Sequence, residues 1–294
     1  MFPRLVSKFL PFVPTPIMRK LSSRYIAGET IESAFQRLSK LHGEGFTGAL
    51  DILGEHVEDE AAARKIADDY IAVGTKMRQA HPELDSYLSI KPTHVGLKLS
   101  EDLCFELYEK VLRATRELGL FVRVEMEDHP TVSGTIRVFE RLRAAGFENV
   151  GIVLQARLFR TAEDIDSLAP GPLDVRVVKG IYLEPEEIAH TRPEPIREAY
   201  LAMTRQLLDR GARVALATHD DGMAEDLVKI LEEKKVPKER YEFQLLLGVR
   251  KFWAERWRDA GHPVRIYVPY GPDWRDYSLR RLKHNPEILG AVMK

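Results

Sequence analysis

Two neighbouring arginines, Arg280 and Arg281, share a helical face with Tyr277 and His284 in a segment expected to open at Asp273, with Asp276 as capping partner. Cations in the early half of a helix run against its macrodipole, which favours acids there. A solvated surface pair is the plain reading; over a cavity, two guanidinium forks suit a carboxylate. Further groups able to do chemistry recur at the C-terminal ends of short apolar runs. These are Asp51 with Leu53-Gly54-Glu55, Lys91 after Ile90, the cluster Glu125, Glu127, Asp128 and His129, and Gln155 with Arg157. Arg176 to Tyr182, Thr218-His219-Asp220, Gln244 to Gly248 and Tyr267 to Gly271 complete the set. Carboxylates, cations and phenols gathered in this way can hold a charged substrate and move protons. The opposite ends of the same runs show no comparable set.

The runs that would position these groups are Phe46–Leu53, Tyr87–Ile90, Phe121–Met126, Val150–Gln155, Val175–Lys179, Val214–Thr218, Phe243–Leu247 and Val264–Val268. Each precedes a longer segment with apolar residues three and four apart, such as Leu103, Leu107, Val111 and Leu118 before Gly119. Ser100 ahead of Glu101 and Asp102, and Thr161 ahead of Asp164, read as helix caps. Strands apolar enough to be buried on both faces are expected to be parallel, and eight of them close into a packed barrel. An open doubly wound sheet is the rival, but no strand-to-helix turn carries a Gly-rich dinucleotide or phosphate-loop signature. The expected architecture is α/β: a (β/α)8 barrel of the TIM type over residues 45–294, a partly helical arm over residues 1–44, and a C-terminal helix closing the site. Working groups of such a barrel sit at the C-terminal strand ends.

A chain of 294 residues suits one barrel, which needs about 250 residues. Its 44% hydrophobic and 30% charged content is that of an ordinary globular protein, and a net charge of -1 offers nucleic acid no footing. The single cysteine, Cys104, excludes an intrachain disulfide, a thiolate zinc site and an iron–sulfur cluster, and suits the cytoplasm. Between Met1 and Gly28 there is no acid, yet Arg4, Lys8, Arg19, Lys20 and Arg24 stand among Phe2, Leu5, Phe9, Leu10, Phe12 and Ile17. Pro11, Pro14 and Pro16 interrupt that stretch, unlike a signal peptide. The arm either lies on an anionic membrane surface or packs on the barrel or a neighbouring subunit. Every residue expected to bind substrate or cofactor lies from Glu55 onward, so removal of residues 1–28 is expected to leave the chemistry almost intact.

Tyr267-Val268-Pro269-Tyr270-Gly271 followed by Tyr277-Ser278-Leu279-Arg280-Arg281-Leu282 resembles the C-terminal signature of the proline dehydrogenases. The stretches Val177 to Tyr182, Thr218-His219, Phe243 to Gly248, Leu53-Gly54-Glu55 and the acids around Asp128 are similar to other segments of that family, in order from about residue 40 to 285. The resemblance implies a monofunctional, bacterial-type enzyme that oxidises L-proline to Δ1-pyrroline-5-carboxylate by hydride transfer from C5 to N5 of non-covalently bound FAD. It further implies that electrons pass to a membrane quinone. Lys91, Arg280 and Arg281 would hold the proline carboxylate, and Glu55 would pair with an arginine when the last helix closes. Asp128 would meet the substrate amine, directly or through Lys91. Tyr267 and Leu246 would wall the ring, with Tyr270 and Tyr277 completing the pocket. Gln155, Arg176 and the backbone of Val178 would face the flavin ring; Lys179, Gly180, Tyr182, Thr218, His219 and Gln244 would serve the rest of the cofactor.

The chain ends soon after the barrel, so the product would pass to a separate pyrroline-5-carboxylate dehydrogenase. Three other readings compete. A metal-dependent barrel hydrolase or isomerase would draw on Glu125, Glu127, Asp128, His129, His219 and Asp220. A Schiff-base lyase would use Lys179, and a non-catalytic scaffold would leave the charged set unexplained.

Overall fold

The computed structural model of the protein describes residues 14–54, 57–275 and 277–279. Strands β1 (Thr47–Ile52), β2 (Ser86–Ile90), β3 (Val122–Val124), β4 (Val150–Gln155), β5 (Asp174–Val178), β6 (Arg213–Ala217), β7 (Tyr241–Leu246) and β8 (Val264–Tyr270) form a closed barrel. Every neighbouring pair is parallel, and β8 returns to β1 with Ala49 opposite Tyr267. β3 is shorter than its apolar run suggested, although the Glu125 amide still reaches the Ile90 carbonyl at 2.9 Å. Helices α1 (Thr15–Ser22) and α2 (Ile31–Gly43) precede the barrel. Helices α3 (Glu60–Ala80), α4 (Glu101–Glu117), α5 (His129–Ala144), α6 (Thr161–Ser167), α7 (Pro193–Asp209), α8 (Asp221–Glu233) and α9 (Lys251–Asp259) follow successive strands.

Alternation along each strand sorts the side chains. Leu50, Leu88, Val122, Val177, Leu216 and Phe243 are fully buried in the core shared with the helices, each contributing roughly 1.5–3 kcal/mol. Several of the intervening positions are polar and point into the barrel, as bonds between non-adjacent strands show: Arg176 of β5 reaches Tyr87 of β2 at 3.0 Å, and Gln244 of β7 reaches the same hydroxyl at 2.8 Å. Ser100 caps α4 as expected, accepting from the Asp102 and Leu103 amides. Thr161 does not cap α6. Its buried hydroxyl donates to the Gln155 carbonyl at 2.7 Å, a nearer acceptor within the barrel wall.

The N-terminal ends of the strands carry a charged set after all. Arg123 meets Asp174 at 2.5 Å, Asp174 meets Arg213 at 3.0 Å, Arg213 meets Glu242 at 2.7 Å, and Glu242 meets Arg265 at 3.0 Å. Arg265 ends the chain of pairs on Asp85 at 3.3 Å and on the Gly48 carbonyl at 2.7 Å. Gly151 makes room for it, because a Cβ there would sit 2.4 Å from an Arg123 nitrogen and 2.5 Å from the Asp174 carbonyl. Buried charges survive only when paired, and here two of the three acids sit between two cations. The network is a polar floor. The sequence reading missed it because its members sit singly on six different segments.

Residues 1–13 lie outside the described residues, but the rest of the arm is built into the other end of the barrel. Met18, Tyr25 and Ile26 share a buried cluster with Leu53 and Trp274. The Ala27 amide donates to the Pro269 carbonyl at 2.9 Å, and the Gly271 amide to the Gly28 carbonyl at 3.1 Å. The expectation that residues 1–28 are dispensable is therefore corrected: their removal strips an apolar face from the loops that follow β1 and β8.

Candidate active site

The C-terminal strand ends gather a second ionic cluster, built from the same inward alternation as the floor. Lys91, just past β2, places its ammonium 2.7 and 2.9 Å from the two oxygens of Asp51 in β1. Asp51 also takes a hydrogen bond from the Tyr267 hydroxyl of β8. Arg176 contacts Glu125 at 2.5 Å, reaches Ser89 at 3.3 Å, and stacks its guanidinium 5.3 Å from the Tyr267 ring centre. Ser89 donates to Glu125 in turn. Leu246 lies beside Tyr267 in the β7–β8 register, and Tyr277 is close enough to Tyr267 to interact electrostatically.

Burial pulls these groups from their ordinary proton affinities, and their partners decide the result. Burial pushes the Asp51 carboxyl up, with one ammonium opposing it. Burial pushes Lys91 down, but Asp51, with Glu125 and Glu127 behind it, raises it above the usual lysine range and keeps it charged. Burial raises Glu125, yet the Arg176 guanidinium outweighs that and leaves it low, a carboxylate. The Tyr267 phenol is held high by burial and by Asp51, so it is a neutral donor. His94, buried beside this cluster, is lowered to about 3 by burial and then by Lys91, and adds no charge.

Several expected site residues meet here: Lys91, Arg176, Tyr267, Leu246, Tyr277 and Gln155. Gln155, 2% exposed at the end of β4, donates to the Glu127 carbonyl at 2.7 Å. Its side-chain oxygen has no partner, and neither has the Arg176 Nε, also buried. Gly180 adopts φ +96°, where other residues are strained, and a Cβ on it would stand 2.7 Å from that same amide oxygen. The Val178 carbonyl is taken by the Ala156 amide at 2.8 Å, and the Tyr182 carbonyl by Arg157. Lys179 bridges to Asp220 at 2.7 Å; Thr218 accepts from the Asp220 amide at 3.1 Å, and His219 accepts from the Leu246 amide at 3.0 Å.

Other expectations fail on geometry. Asp128 does not stand against Lys91: its side chain is turned to the Thr131 hydroxyl at 3.3 Å at the head of α5, and the carboxylate that Lys91 holds is Asp51. Position 128 lies past the strand, where inward alternation no longer applies. Glu125, at the inward position of that segment, is the acid that enters the cluster. The expected substrate and flavin sites leave out Asp51 and Glu125, although the two-residue alternation of Tyr87-Ser89-Lys91 and Arg123-Glu125 marks Glu125 as an inward position. Tyr270 falls on the opposite phase from Tyr267 and is buried in the main apolar core near Tyr70. Gln244 spends its amide nitrogen on Tyr87 and Glu242, joining floor to mouth one layer beneath the cofactor role foreseen for it. Residues 274, 275 and 277–279 are helical, while Glu55, Asp276, Arg280, Arg281 and His284 lie outside the described residues.

The donors of a metal site are otherwise engaged. Glu125 serves Arg176, Glu127 accepts from Thr93 at 2.8 Å, His129 pairs with Glu184 at 2.7 Å, and Asp220 serves Lys179. Among the described residues no three His, Cys, Asp or Glu side chains gather where an ion could sit.

The barrel and its mouth have counterparts among known proteins. The family model described as Proline dehydrogenase matches residues 34–294. Proline dehydrogenase of Deinococcus radiodurans is 35% identical over 282 residues, covering 94% of this chain and 90% of that protein. Proline dehydrogenase 1 of Bacillus subtilis is 33% identical over 273 residues, covering 92% and 89%. The crystal structure of proline utilization A from Bdellovibrio bacteriovorus, inactivated by N-propargylglycine, superposes with a TM-score of 0.83 at 25% identity. That match covers 89% of this chain but only 32% of the much longer protein. With the match extending through the barrel and over both strand-end clusters, the chain belongs to the proline dehydrogenase family.

Proposed function

We propose that this protein oxidises L-proline to Δ1-pyrroline-5-carboxylate, the first step of proline catabolism, using non-covalently bound FAD. The observation that carries the flavin is the pair of buried, partnerless atoms at the mouth, the Gln155 amide oxygen and the Arg176 Nε, which suit a ligand edge offering both a donor and an acceptor. Flavin supplies the acceptor for the hydride lost from C5. Gln155 and Arg176 would hold its ring, while Lys179, Gly180, Tyr182, Thr218 and His219 would serve the rest of the cofactor. Lys91, kept charged by Asp51, binds the proline carboxylate with Arg280 and Arg281. Tyr267 donates to Asp51 and presents its ring to the substrate, beside Leu246 and Tyr277. Asp51, whose proton affinity burial raises, would take the amine proton, which must leave before the nitrogen lone pair can assist, while Glu125 stays ionised against Arg176. The reading extends to a quinone as final acceptor, release of product to a separate dehydrogenase, and a cytoplasmic enzyme touching the inner membrane face through its N-terminal arm. Among the described residues no helix is long and apolar enough to cross a membrane.

Acid precipitation should release FAD into the supernatant. Arg280→Met or Arg281→Met should lower kcat/KM for proline by roughly 2–4 kcal/mol, about 30- to 1000-fold, with flavin content unchanged. Loss of flavin with normal proline kinetics after reconstitution would overturn the carboxylate role.

A further inference from the structure

We infer that helix α1 is a positioning element of the substrate site, and that the Ser22–Ser278 hydroxyl pair sets the seat of the helical turn starting at Trp274. The inference rests on the proposed role of that helix in binding the proline carboxylate. Ser22 and Ser278 are 2% and 0% exposed and lie 256 positions apart in sequence. Ser22 donates to the Ser278 oxygen at 2.7 Å, and Ser278 donates onward to the Trp274 carbonyl at 2.6 Å. Apolar packing of Met18, Tyr25 and Ile26 on Trp274 would hold the two segments together at many relative rotations. A buried hydroxyl chain is directional and admits one. Two exposed contacts reinforce the same seat: Arg275 donates to Thr15 at 2.7 Å, and the Arg19 guanidinium lies 5.7 Å from the Trp274 ring centre.

The seat bears on the substrate site in two ways. Ser278 is the immediate neighbour of Tyr277, whose hydroxyl interacts with that of Tyr267, and the chain runs on from Leu279 into Arg280 and Arg281. A rotation at Ser278 therefore displaces Tyr277, a wall of the proposed pocket, at the head of the segment that leads to the arginines. Leu53 belongs to the same cluster and leads directly into Gly54 and Glu55. Helix α1 and the residues just after it thus share one buried cluster with both segments whose ends are expected to meet over bound proline. Because it carries none of the residues proposed to bind substrate or flavin, its effect is on the fraction of molecules with the turn correctly seated, which scales the apparent affinity for substrate and leaves the chemical step alone.

The test is a double-mutant cycle on the full-length, flavin-loaded enzyme with a soluble dye acceptor. Ser22→Ala and Ser278→Ala should each raise the KM for proline about three- to tenfold, with kcat within about twofold and flavin content unchanged. The double variant should be no worse than the worse single one. Unchanged KM in both single variants, whatever happens to melting temperature, overturns the inference, as does full additivity. Arg281→Met measured alongside separates the two claims. If it raises KM while the serine variants do not, the seat is wrong and the carboxylate role stands. If the serine variants raise KM and Arg281→Met does not, the seat stands without the carboxylate role.

Discussion

The two ends of this barrel solve the same problem, buried charge, with opposite outcomes. At the floor, Glu242 sits between Arg213 and Arg265; burial favours its neutral form, but the two guanidiniums overcome that and hold it down to about 2. At the mouth, Asp51 is as deeply buried, yet one ammonium and one phenol face it, and its carboxyl is pushed up. The number of cations per carboxylate makes the difference. A doubly paired acid is fixed in charge and can only brace the structure. A singly paired acid can take a proton without tearing a network, which suits a site that must bind and release a charged substrate. Tyr87 and Gln244 tie the two layers together, so the mouth is held from below.

The largest expected effect lies at the floor. Glu242→Gln leaves the buried Arg265 and the half-buried Arg213 guanidiniums short of a charge and should cost about 3–5 kcal/mol of stability, read by urea unfolding, while kcat/KM of the folded fraction stays near wild type. Lost proline oxidation without lost stability would erase the distinction between the ends. The pH dependence follows from the same residue. Its folded affinity of about 2 lies below the ordinary 4.5, so its contribution is complete above pH 4.5 and fades as pH falls towards 2. That shift corresponds to about 3 kcal/mol, and the decline in unfolding free energy over this window should flatten in Glu242→Gln.

Lys91→Met is the matching change at the mouth. It should lower kcat/KM for proline by roughly 1.5–3 kcal/mol, about 10- to 150-fold, and lower the melting temperature less than Glu242→Gln, because Asp51 can become neutral. Equal destabilisation by the two variants would make the mouth as structural as the floor. Glu55→Gln should have the smallest effect, under about 1 kcal/mol, and combined with Arg281→Met should be less than additive. Additive losses would mean that Glu55 and Arg281 do not meet.

The barrel was legible because eight apolar runs alternate with helical stripes, and burial on both faces of a parallel strand leaves a strong mark. Lys91, Arg176 and Tyr267 were legible because each stands at or near a strand end within a recognisable segment. Asp128 lies past the strand end, beyond the two-residue phase, and that phase selects Glu125 for the cluster instead. The same phase takes Tyr270 out of the pocket and brings in Asp51. The floor was hidden for a different reason: its ion pairs join residues far apart in sequence, so nothing local announces them. The seat of the arm was hidden likewise, since Ser22 and Ser278 look like any surface serines until the fold brings them together.

The central claim, that the mouth of this barrel passes electrons from proline to a flavin, is tested most directly by an anaerobic absorption titration of the purified protein. Stepwise addition of L-proline should bleach the oxidised flavin bands, and Lys91→Met should require much more proline for the same bleaching. A protein that takes up no FAD, or a bound flavin that L-proline leaves oxidised, would contradict the account.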